Sequence, residues 1–147
     1  MAYIFTHEAN AENLSLSDQI CTALQLINFL QDLLQDFDEH NRIYLPQDEM
    51  RKYHISEADL QKRNSNTAMQ NLVQLQVQRA RAFLLAGAPL GNKLAGRIGL
   101  ELRMIIQGGI RILQKLDNHG GNVFQRPRLK KSDYLGMFWN ALLNKPL

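Results

Sequence analysis

Three side chains that carry oxygen atoms recur at every fourth position of one segment: Asn28, Asp32 and Asp36. Because an α-helix turns by about 100° per residue, positions four apart drift by only about 40° and share one face. Gln25 lies three residues before Asn28 and joins the same strip. Amide and carboxylate oxygens are the ligands that hard cations such as Mg²⁺ prefer, commonly together with substrate phosphates. The spacing therefore predicts a strip of ligands for a hard cation.

The alternative interpretation is that the strip is only the solvated face of an amphipathic helix. Two details weaken that alternative. Like charges four residues apart cost about 0.2–0.5 kcal/mol in an isolated helix, and no Lys or Arg lies between positions 14 and 41 to offset them. Both Asp residues also lie in the second half of the predicted helix, where the macrodipole disfavours anions. Spacing by itself leaves both interpretations open.

Composition indicates a single soluble globular domain over residues 1–147, with 45% hydrophobic and 21% charged residues. The net charge is +3 and the basic residues are spread along the chain, which argues against nucleic acid as a partner. The densest basic run, RPRLKK at 126–131, is interpreted as a solvated loop or an approach to a helix. The alternative, a nucleic-acid contact, depends on this run together with Arg79 and Arg81.

The cysteine content and the apolar segments of the sequence indicate the cell compartment. Cys21 is the single cysteine, which fits a reducing compartment, and its apolar neighbours predict a buried side chain. The chain begins without a basic segment followed by an apolar one, and it lacks a run of about 18 apolar residues. We therefore expect a cytoplasmic protein, with peripheral membrane association left open. Phe138 and Trp139 are the candidate membrane anchors, and packing in the core is the favoured alternative for both.

Hydrophobic periodicity predicts helices along nearly the whole chain, and no strand alternation of any length is present. The first helix, at 14–40, has Ser15 or Ser17 as its N-cap candidate and ends before Pro46. Its apolar stripe is Ile20, Leu24, Ile27, Leu30 and Leu34. The other helices are predicted at 46–53, at 56–63 with Ser56 as cap, at 66–85, at 92–116 after a break at 87–91, and at 132–143. The fold class is all-α.

Gly108 and Gly109 stand side by side inside the helix predicted at 92–116. Each glycine costs about 1 kcal/mol relative to Ala within a helix, so the pair needs a reason. One interpretation is a close approach of two helices. The other is room for a bulky apolar ligand against the backbone.

The segment ALQLINFLQDLLQDFDEHNRIYLPQDEM at 23–50 resembles the second aspartate-rich motif of the squalene/phytoene synthase family. That motif is Gln-x-x-Asn-x-x-x-Asp-x-x-x-Asp, followed by Arg-x-Tyr-Leu-Pro. The segments RARAFLLAGAPLGNKLAGRIGLELRMIIQGGIRILQKL at 79–116 and NVFQRPRL at 122–129 are similar to the HpnC-type branch of bacterial hopanoid-pathway squalene synthases. Gln31 supports this branch, because phytoene synthases more often have Arg at its position.

The resemblance implies a partial isoprenoid (terpenoid) synthase helical bundle that performs head-to-head prenyl transfer, a transferase reaction. Its substrate would be farnesyl diphosphate or presqualene diphosphate, ionised with the help of Mg²⁺ in a central cavity. On this mapping Asn28 and Asp32 would be Mg²⁺ ligands, and Asp36 a ligand or a support for the ligands. Gln25 and Gln31 would face the diphosphate.

The resemblance also implies roles for residues beyond this helix. Arg42 and Tyr44, just past it, would steady the motif or the pyrophosphate. Arg126 is a further candidate for contact with the anion. Gly108 and Gly109 would line the prenyl pocket.

Family members are longer chains, and their first half carries another aspartate-rich motif that nothing in residues 1–20 replaces. We therefore expect a C-terminal half that is inactive alone, so whether this chain is itself an enzyme stays open. The alternative is a non-catalytic helical interaction module, or a truncated remnant, that kept the fold and lost the reaction. Helices that pack on a missing half would expose apolar faces, which predicts a homodimer or a domain swap.

Overall fold

A computed structural model describes residues 10–40, 42–63, 66–118 and 127–143 of the protein. Over these ranges the chain is helical and contains no strand, which confirms the predicted all-α class. The helices of the described ranges are α1 (Ala11–His40), α2 (Gln47–Lys52), α3 (Glu57–Gln61), α4 (Thr67–Gly87), α5 (Leu90–Lys93), α6 (Gly96–Asn118) and α7 (Lys131–Leu142).

Helix α1, which carries the Asn/Asp strip, starts earlier than predicted. Asn10 precedes it, and the backbone N–H of Asn13 donates to the Asn10 side-chain oxygen at 2.8 Å. The prediction of Ser15 or Ser17 as N-cap was wrong, because the Asn10 side chain already satisfies a free N–H at the helix start. From Ala11 the helix then runs for 30 residues.

The core forms mainly where α1 packs along α4. Both helices bury a side chain at nearly every third or fourth position, which is the period that the sequence predicted. Leu24 is only partly buried, and the side chain of Leu34 lies outside the described residues. The buried side chains of α1 include Ile20, Ala23, Ile27, Leu30 and Leu33, and those of α4 include Leu72, Val73, Val77, Ala80 and Leu84.

The chain between α4 and α6 breaks more sharply than predicted. Asn66 caps α4, with the Met69 N–H donating to its side-chain oxygen at 2.8 Å, and α4 ends at Gly87. The short helix α5 then stops at Leu94, which is extended with a ψ of 125°. Gly96 has a φ of +65°, a conformation that costs little only for glycine, so α6 begins later than predicted.

Helix α7 is attached to α6 through a buried carboxylate, Asp133. It accepts hydrogen bonds from Lys115 Nζ at 2.6 Å, the backbone N–H of Lys130 at 2.7 Å and Arg111 Nε at 2.9 Å. These donors, Lys115 first, hold the pKa of the Asp133 carboxyl well below its ordinary value. The first turn of α7 is therefore held to α6 by charge.

A second polar anchor holds the other end of α7. Arg103 of α6 donates from Nε to the Ala141 carbonyl at 2.9 Å and from Nη1 to the Gly91 carbonyl at 2.6 Å. One guanidinium therefore ties α7 and α5 to the same point of α6. Hydrogen bonds from a charged donor are stronger than neutral ones, which suits an interface with few buried apolar side chains.

Two burial predictions were wrong. Cys21 is exposed, because it lies one position past Ile20 and is turned by about 100° off the buried stripe of α1. Phe138 and Trp139 are also exposed, since α7 packs on α6 through a different face. None of the described helices has the length and apolar content that crossing a bilayer requires.

Candidate functional site

A cavity of about 580 Å³ lies between α1, α6 and the start of α7, and we name it the central trough. The segment that precedes α7 contributes to its wall. Most of the lining is apolar, and the polar exceptions are four side chains from three parts of the chain. The lining residues are Leu24, Ile27, Asn28, Gln31, Met104, Ile105, Gly108, Gly109, Ile112, Arg128, Leu129, Tyr134 and Met137.

The trough joins residues that the sequence analysis had named separately. Asn28 and Gln31 of α1 share it with Gly108 and Gly109 of α6, which lie about 80 residues further along the chain. The four polar side chains in the lining are Asn28, Gln31, Arg128 and Tyr134. A mostly apolar cavity with a few convergent polar groups is the usual form of a small-molecule site.

Gln31 does more than line the trough. Its side-chain Nε2 donates to the Pro127 carbonyl at 2.8 Å, a contact between residues 96 positions apart. This hydrogen bond holds the segment before α7 against α1 and thereby fixes the neighbouring Arg128 at the trough wall. Gln31 is consequently a positioning residue as well as a part of the lining.

Arg128 is the functional candidate that the sequence analysis missed. The basic run at 126–131 was interpreted as a solvated segment, and Arg126 was named in it as the anion contact. Arg126 lies outside the described residues, whereas Arg128 lines the trough. Two Arg residues flank Pro127, and no sequence signal marks Arg128, which is exposed, as the one found in the trough lining.

The two glycines serve both of the predicted purposes. A Cβ on Gly109 would lie 2.8 Å from Leu84 Cδ2 and 3.1 Å from Ile27 Cδ1, so α6 approaches α1 and α4 closely there. A Cβ on Gly108 would lie 3.2 Å from Met137 Cε, on the side of α7. Both glycines also line the trough, so close helix packing and an open backbone wall coexist at this point of α6.

Gln25 and Asp32 lie on the side of α1 next to the trough rather than in its lining. Gln25 is exposed and Asp32 is half-buried. Both are rotated by about 40–60° from Asn28, away from Leu24 and Gln31. The strip is therefore continuous with the trough at Asn28 and then runs along its edge.

The ligand strip itself is only partly described. The side chain of Asp36 lies outside the described residues. Among the residues that the structure does describe, no three His, Cys, Asp or Glu side chains form a metal-binding group. Asn28 and Asp32 are the described members of the strip, and the role of Asp36 stays a prediction.

The segment after α1 returns along that helix. The Tyr44 ring stacks on Phe29, with centroids 4.3 Å apart and planes 2° from parallel. Since Phe29 and Asp32 are three residues apart, Tyr44 packs on the face of α1 that carries the strip. Arg42, two residues earlier, is exposed and does not line the trough. Tyr44 therefore packs on α1 through Phe29, and its role in steadying the motif or the pyrophosphate stays a prediction.

A polar cluster fixes this returning segment from the far side. Arg79 of α4 donates to Glu49 Oε1 at 2.6 Å, and the buried Gln76 donates to the other carboxylate oxygen of Glu49. These contacts hold α2, and with it the segment that contains Tyr44, against α4. Arg79, which was named above only for the nucleic-acid alternative, is thus engaged in an ion pair with Glu49.

A second cavity of about 420 Å³ adjoins the trough, and we name it the apolar groove. It lies between α1, α5 and α6, and it shares Leu24 and Ile105 with the trough. Its other apolar walls include Ile20, Leu94 and Leu102. Ser17, Arg97 and Glu101 also line the groove, so its wall is mostly and not entirely apolar.

The sequence is similar to known proteins over most of its length. The family model for squalene/phytoene synthase matches residues 1–134. A hydroxysqualene synthase from Rhodopseudomonas palustris is 29% identical over 137 residues, which is 92% of this chain and 47% of that protein. A 15-cis-phytoene synthase from Synechocystis is 30% identical over 125 residues, covering 80% of this chain and 36% of that protein.

A solved structure extends the similarity to the fold. The crystal structure of the squalene synthase HpnC from Alicyclobacillus acidocaldarius aligns with a TM-score of 0.71 and 29% identity, over 76% of this chain and 42% of that one. The chain spans about half the length of the curated hydroxysqualene synthases that it matches. On the match of its sequence and the agreement of its fold, this chain belongs to the squalene/phytoene synthase family.

Proposed function

We propose that this chain forms the diphosphate-binding and prenyl-binding half of a head-to-head prenyltransferase in isoprenoid biosynthesis. The observation that carries the proposal is that Asn28 and Gln31 share one cavity with the glycine wall of α6. The polar side chains of such a cavity suit an anionic head group, and its apolar lining suits a hydrocarbon chain. That combination is the chemistry of a prenyl diphosphate.

Size and polarity support farnesyl diphosphate or presqualene diphosphate as the substrate. The trough volume of about 580 Å³ falls within the range of ordinary ligand sites. The adjoining apolar groove adds about 420 Å³ past Leu24 and Ile105. A head-to-head reaction joins two isoprenoid chains, and two adjoining cavities that share Leu24 and Ile105 in their walls offer room for both.

The described residues of the trough have different proposed roles. The Arg128 guanidinium offers planar paired donors to a diphosphate, and it lines the same trough as Asn28. Gln31 keeps Arg128 there through its hydrogen bond to Pro127. The apolar wall of α6 excludes water from a carbocation formed when the diphosphate leaves.

We propose Mg²⁺ as the cofactor, held by Asn28 and Asp32 and by the predicted ligand Asp36. The donor set fits, because an amide and a carboxylate on successive turns of α1 supply only oxygen atoms at the edge of the trough. When bound, Mg²⁺ neutralises diphosphate charge and acts as a Lewis acid toward the leaving group.

We expect the 147-residue chain to bind its substrate without completing the reaction. A diphosphate is clamped from several sides in a metal-assisted transfer, and this chain offers one carboxylate strip. The homodimer through exposed apolar faces stays a prediction, and sedimentation velocity at micromolar protein tests it. A cytoplasmic location stays a prediction as well.

The test is isothermal titration of the chain with farnesyl diphosphate, with and without Mg²⁺. We expect Mg²⁺-dependent heat, and a loss of affinity of about tenfold or more in Asp32→Asn, because one charged interaction is removed. Asp18→Asn, an exposed acid of the same helix away from the trough, is the matched control and should bind like the wild type. Equal binding by both variants would contradict the role of the strip.

A second pair of variants tests the prenyl end. Gly108→Leu places a side chain toward Met137 and Leu129, which line the trough. It should weaken farnesyl diphosphate and leave inorganic pyrophosphate unchanged, since pyrophosphate has no hydrocarbon chain. Gly136→Leu makes the same change where nothing lies within 4 Å of the new Cβ. No heat with any of these ligands would favour the non-catalytic module instead.

A further inference from the structure

The outward side of α7 carries an apolar stripe whose side chains each keep 43% or more of their accessible surface exposed in the described structure. Leu135, Phe138, Trp139 and Leu142 are all exposed, with Leu135 at 70% and Trp139 at 56% of their full accessible surface. Their spacing of three, one and three residues places them within an arc of about 100°. We name these four residues the α7 outer face.

The body of the protein occupies the opposite side of the helix. Asp133, Met137 and Ala141 are buried at intervals of four residues. Arg103 and Lys115 hold that side from beneath, through Ala141 and Asp133 respectively. Helix α7 therefore lies flat on α6 and turns its largest apolar side chains outward, which is the reverse of an ordinary surface helix.

The charge around this face has one sign. Arg128, Lys130 and Lys131 are exposed at the start of α7, and Lys131 projects on the same side as the stripe. The single acid of α7 is Asp133, which is buried and bound to Lys115 and Arg111. Within α7 no exposed carboxylate therefore balances these cations.

We propose that the α7 outer face docks on the surface of an anionic lipid bilayer, with the helix lying in the plane of the interface. An amphipathic helix with Trp, Phe and Leu on one side and basic residues beside them has the composition of such helices. Trp139 suits the boundary between head groups and acyl chains, where Trp is enriched. Lys130 and Lys131 supply attraction to anionic lipid.

A second copy of the chain fits this face less well. A symmetric dimer through α7 would bring Lys130, Lys131 and Arg128 of both copies to one interface, and like charges that face one another are unfavourable. A bilayer with anionic lipid meets both the apolar and the cationic parts of the surface. Charge complementarity therefore favours the lipid surface.

Tyr134 and Met137, on the same helix, line the central trough, and Met137 lies on the buried side of α7 opposite the outer face. Docking would therefore leave α7 itself between the lipid and the trough. The proposal goes beyond the proposed function and stands without it, since it rests on α7 alone.

The experiment is co-sedimentation of the full chain with vesicles of phosphatidylcholine, and with vesicles of equal parts phosphatidylcholine and phosphatidylglycerol. We expect binding to the anionic vesicles. Leu135→Gln combined with Trp139→Gln should reduce it by about tenfold or more, because two large side chains no longer enter the interface. Lys130→Gln combined with Lys131→Gln should reduce it by roughly 10- to 30-fold, and high salt should do the same.

Matched controls make each loss specific. Leu14→Gln combined with Leu85→Gln removes two exposed apolar side chains elsewhere, and Arg51→Gln combined with Lys52→Gln removes two exposed charges of α2. Both controls should bind like the wild type, and circular dichroism should show equal helicity in all variants. Absence of binding to anionic vesicles, or equal loss in variants and controls, would overturn the proposal. So would concentration-dependent self-association that Trp139→Gln abolishes in the absence of vesicle binding.

Discussion

Helix α6 packs against two surroundings of different character. On the side of α1 and α4 its contacts are apolar, with Gly109 against the buried side chains of Leu84 and Ile27. On the side of α7 it relies on charged groups, with Arg103 and Asp133 among the anchors. One helix thus joins a tightly packed apolar interface to a polar one.

The apolar and the charged interfaces of α6 stabilise the protein in different ways. Apolar burial contributes over a wide pH range and depends on close packing. Charge-assisted contacts depend on the ionisation of single groups and allow one element to open by itself. The α1–α4–α6 interface is therefore expected to set global stability, and the α6–α7 interface to set whether α7 stays attached.

The largest expected loss of stability comes from a substitution in the apolar interface of α6 with α1 and α4. Leu84→Ala should lower the free energy of unfolding by about 2–5 kcal/mol, because it leaves a cavity beside Gly109 in a fully buried site. Denaturant unfolding followed by circular dichroism measures the loss. Leu85→Ala, the adjacent and exposed position, should change stability by less than about 0.5 kcal/mol. Similar losses in both variants would contradict the apolar core described for this side.

The next largest effect is on thermal stability through Asp133, at the charged interface of α6 and α7, and it depends on pH. Since the pKa of the Asp133 carboxyl is lowered in the folded protein, its contribution is complete above the ordinary value of 3.8 and is lost as the pH falls below it. The Tm of the wild type should therefore decrease more steeply between about pH 5 and pH 2 than the Tm of Asp133→Asn. Asp18→Asn, an exposed acid of α1, should keep the wild-type slope. If Tm depended on pH in the same way in the wild type and in Asp133→Asn, the charged α6–α7 interface would not differ from the apolar one in its pH dependence.

The smallest expected changes in stability come from alanine substitutions of the adjacent residues Gly108 and Gly109, which face α7 and the α1–α4 side respectively. Gly109→Ala should lower stability by about 1 kcal/mol, because crowding against Leu84 and Ile27 exceeds the gain in helix propensity. Gly108→Ala should instead raise it by up to about 1 kcal/mol, since the flexible end of Met137 can move aside. If both substitutions changed the stability measured by thermal unfolding in the same direction, α6 would pack alike on both sides. In Leu84→Ala the cost of Gly109→Ala should become smaller, which a double-mutant cycle detects.

Local sequence signals predicted most of the helices. The apolar period located α1, α4 and α6, and the Ser56 cap of α3 is confirmed by its hydrogen bonds with Asp59. The start of α1 was missed, because Asn10 and the two Ser residues downstream are all good caps and only packing selects among them. Burial of Phe138 and Trp139 was wrong, because an apolar stripe does not reveal whether a partner covers it.

The site shows a similar division. Spacing placed Asn28 and Asp32 on one face, and the glycine pair was singled out before any contact was known. The hydrogen bond from Gln31 to Pro127 could not be predicted, since it joins positions 96 residues apart, and the place of Arg128 in the trough lining follows from it. Contacts of that range depend on how α7 is anchored to α6.

By itself, the sequence determined the all-α class, the oxygen-rich strip of α1 and the resemblance to the squalene/phytoene synthase family. These features are local, because the helical period and residue chemistry are set by neighbours within a few turns. The tertiary structure decided which polar groups meet in the trough and which apolar residues stay outside. The physical reason is that burial and cavity shape arise from the packing of distant helices, and the same stripe of Leu, Phe and Trp can face either a core or the exterior.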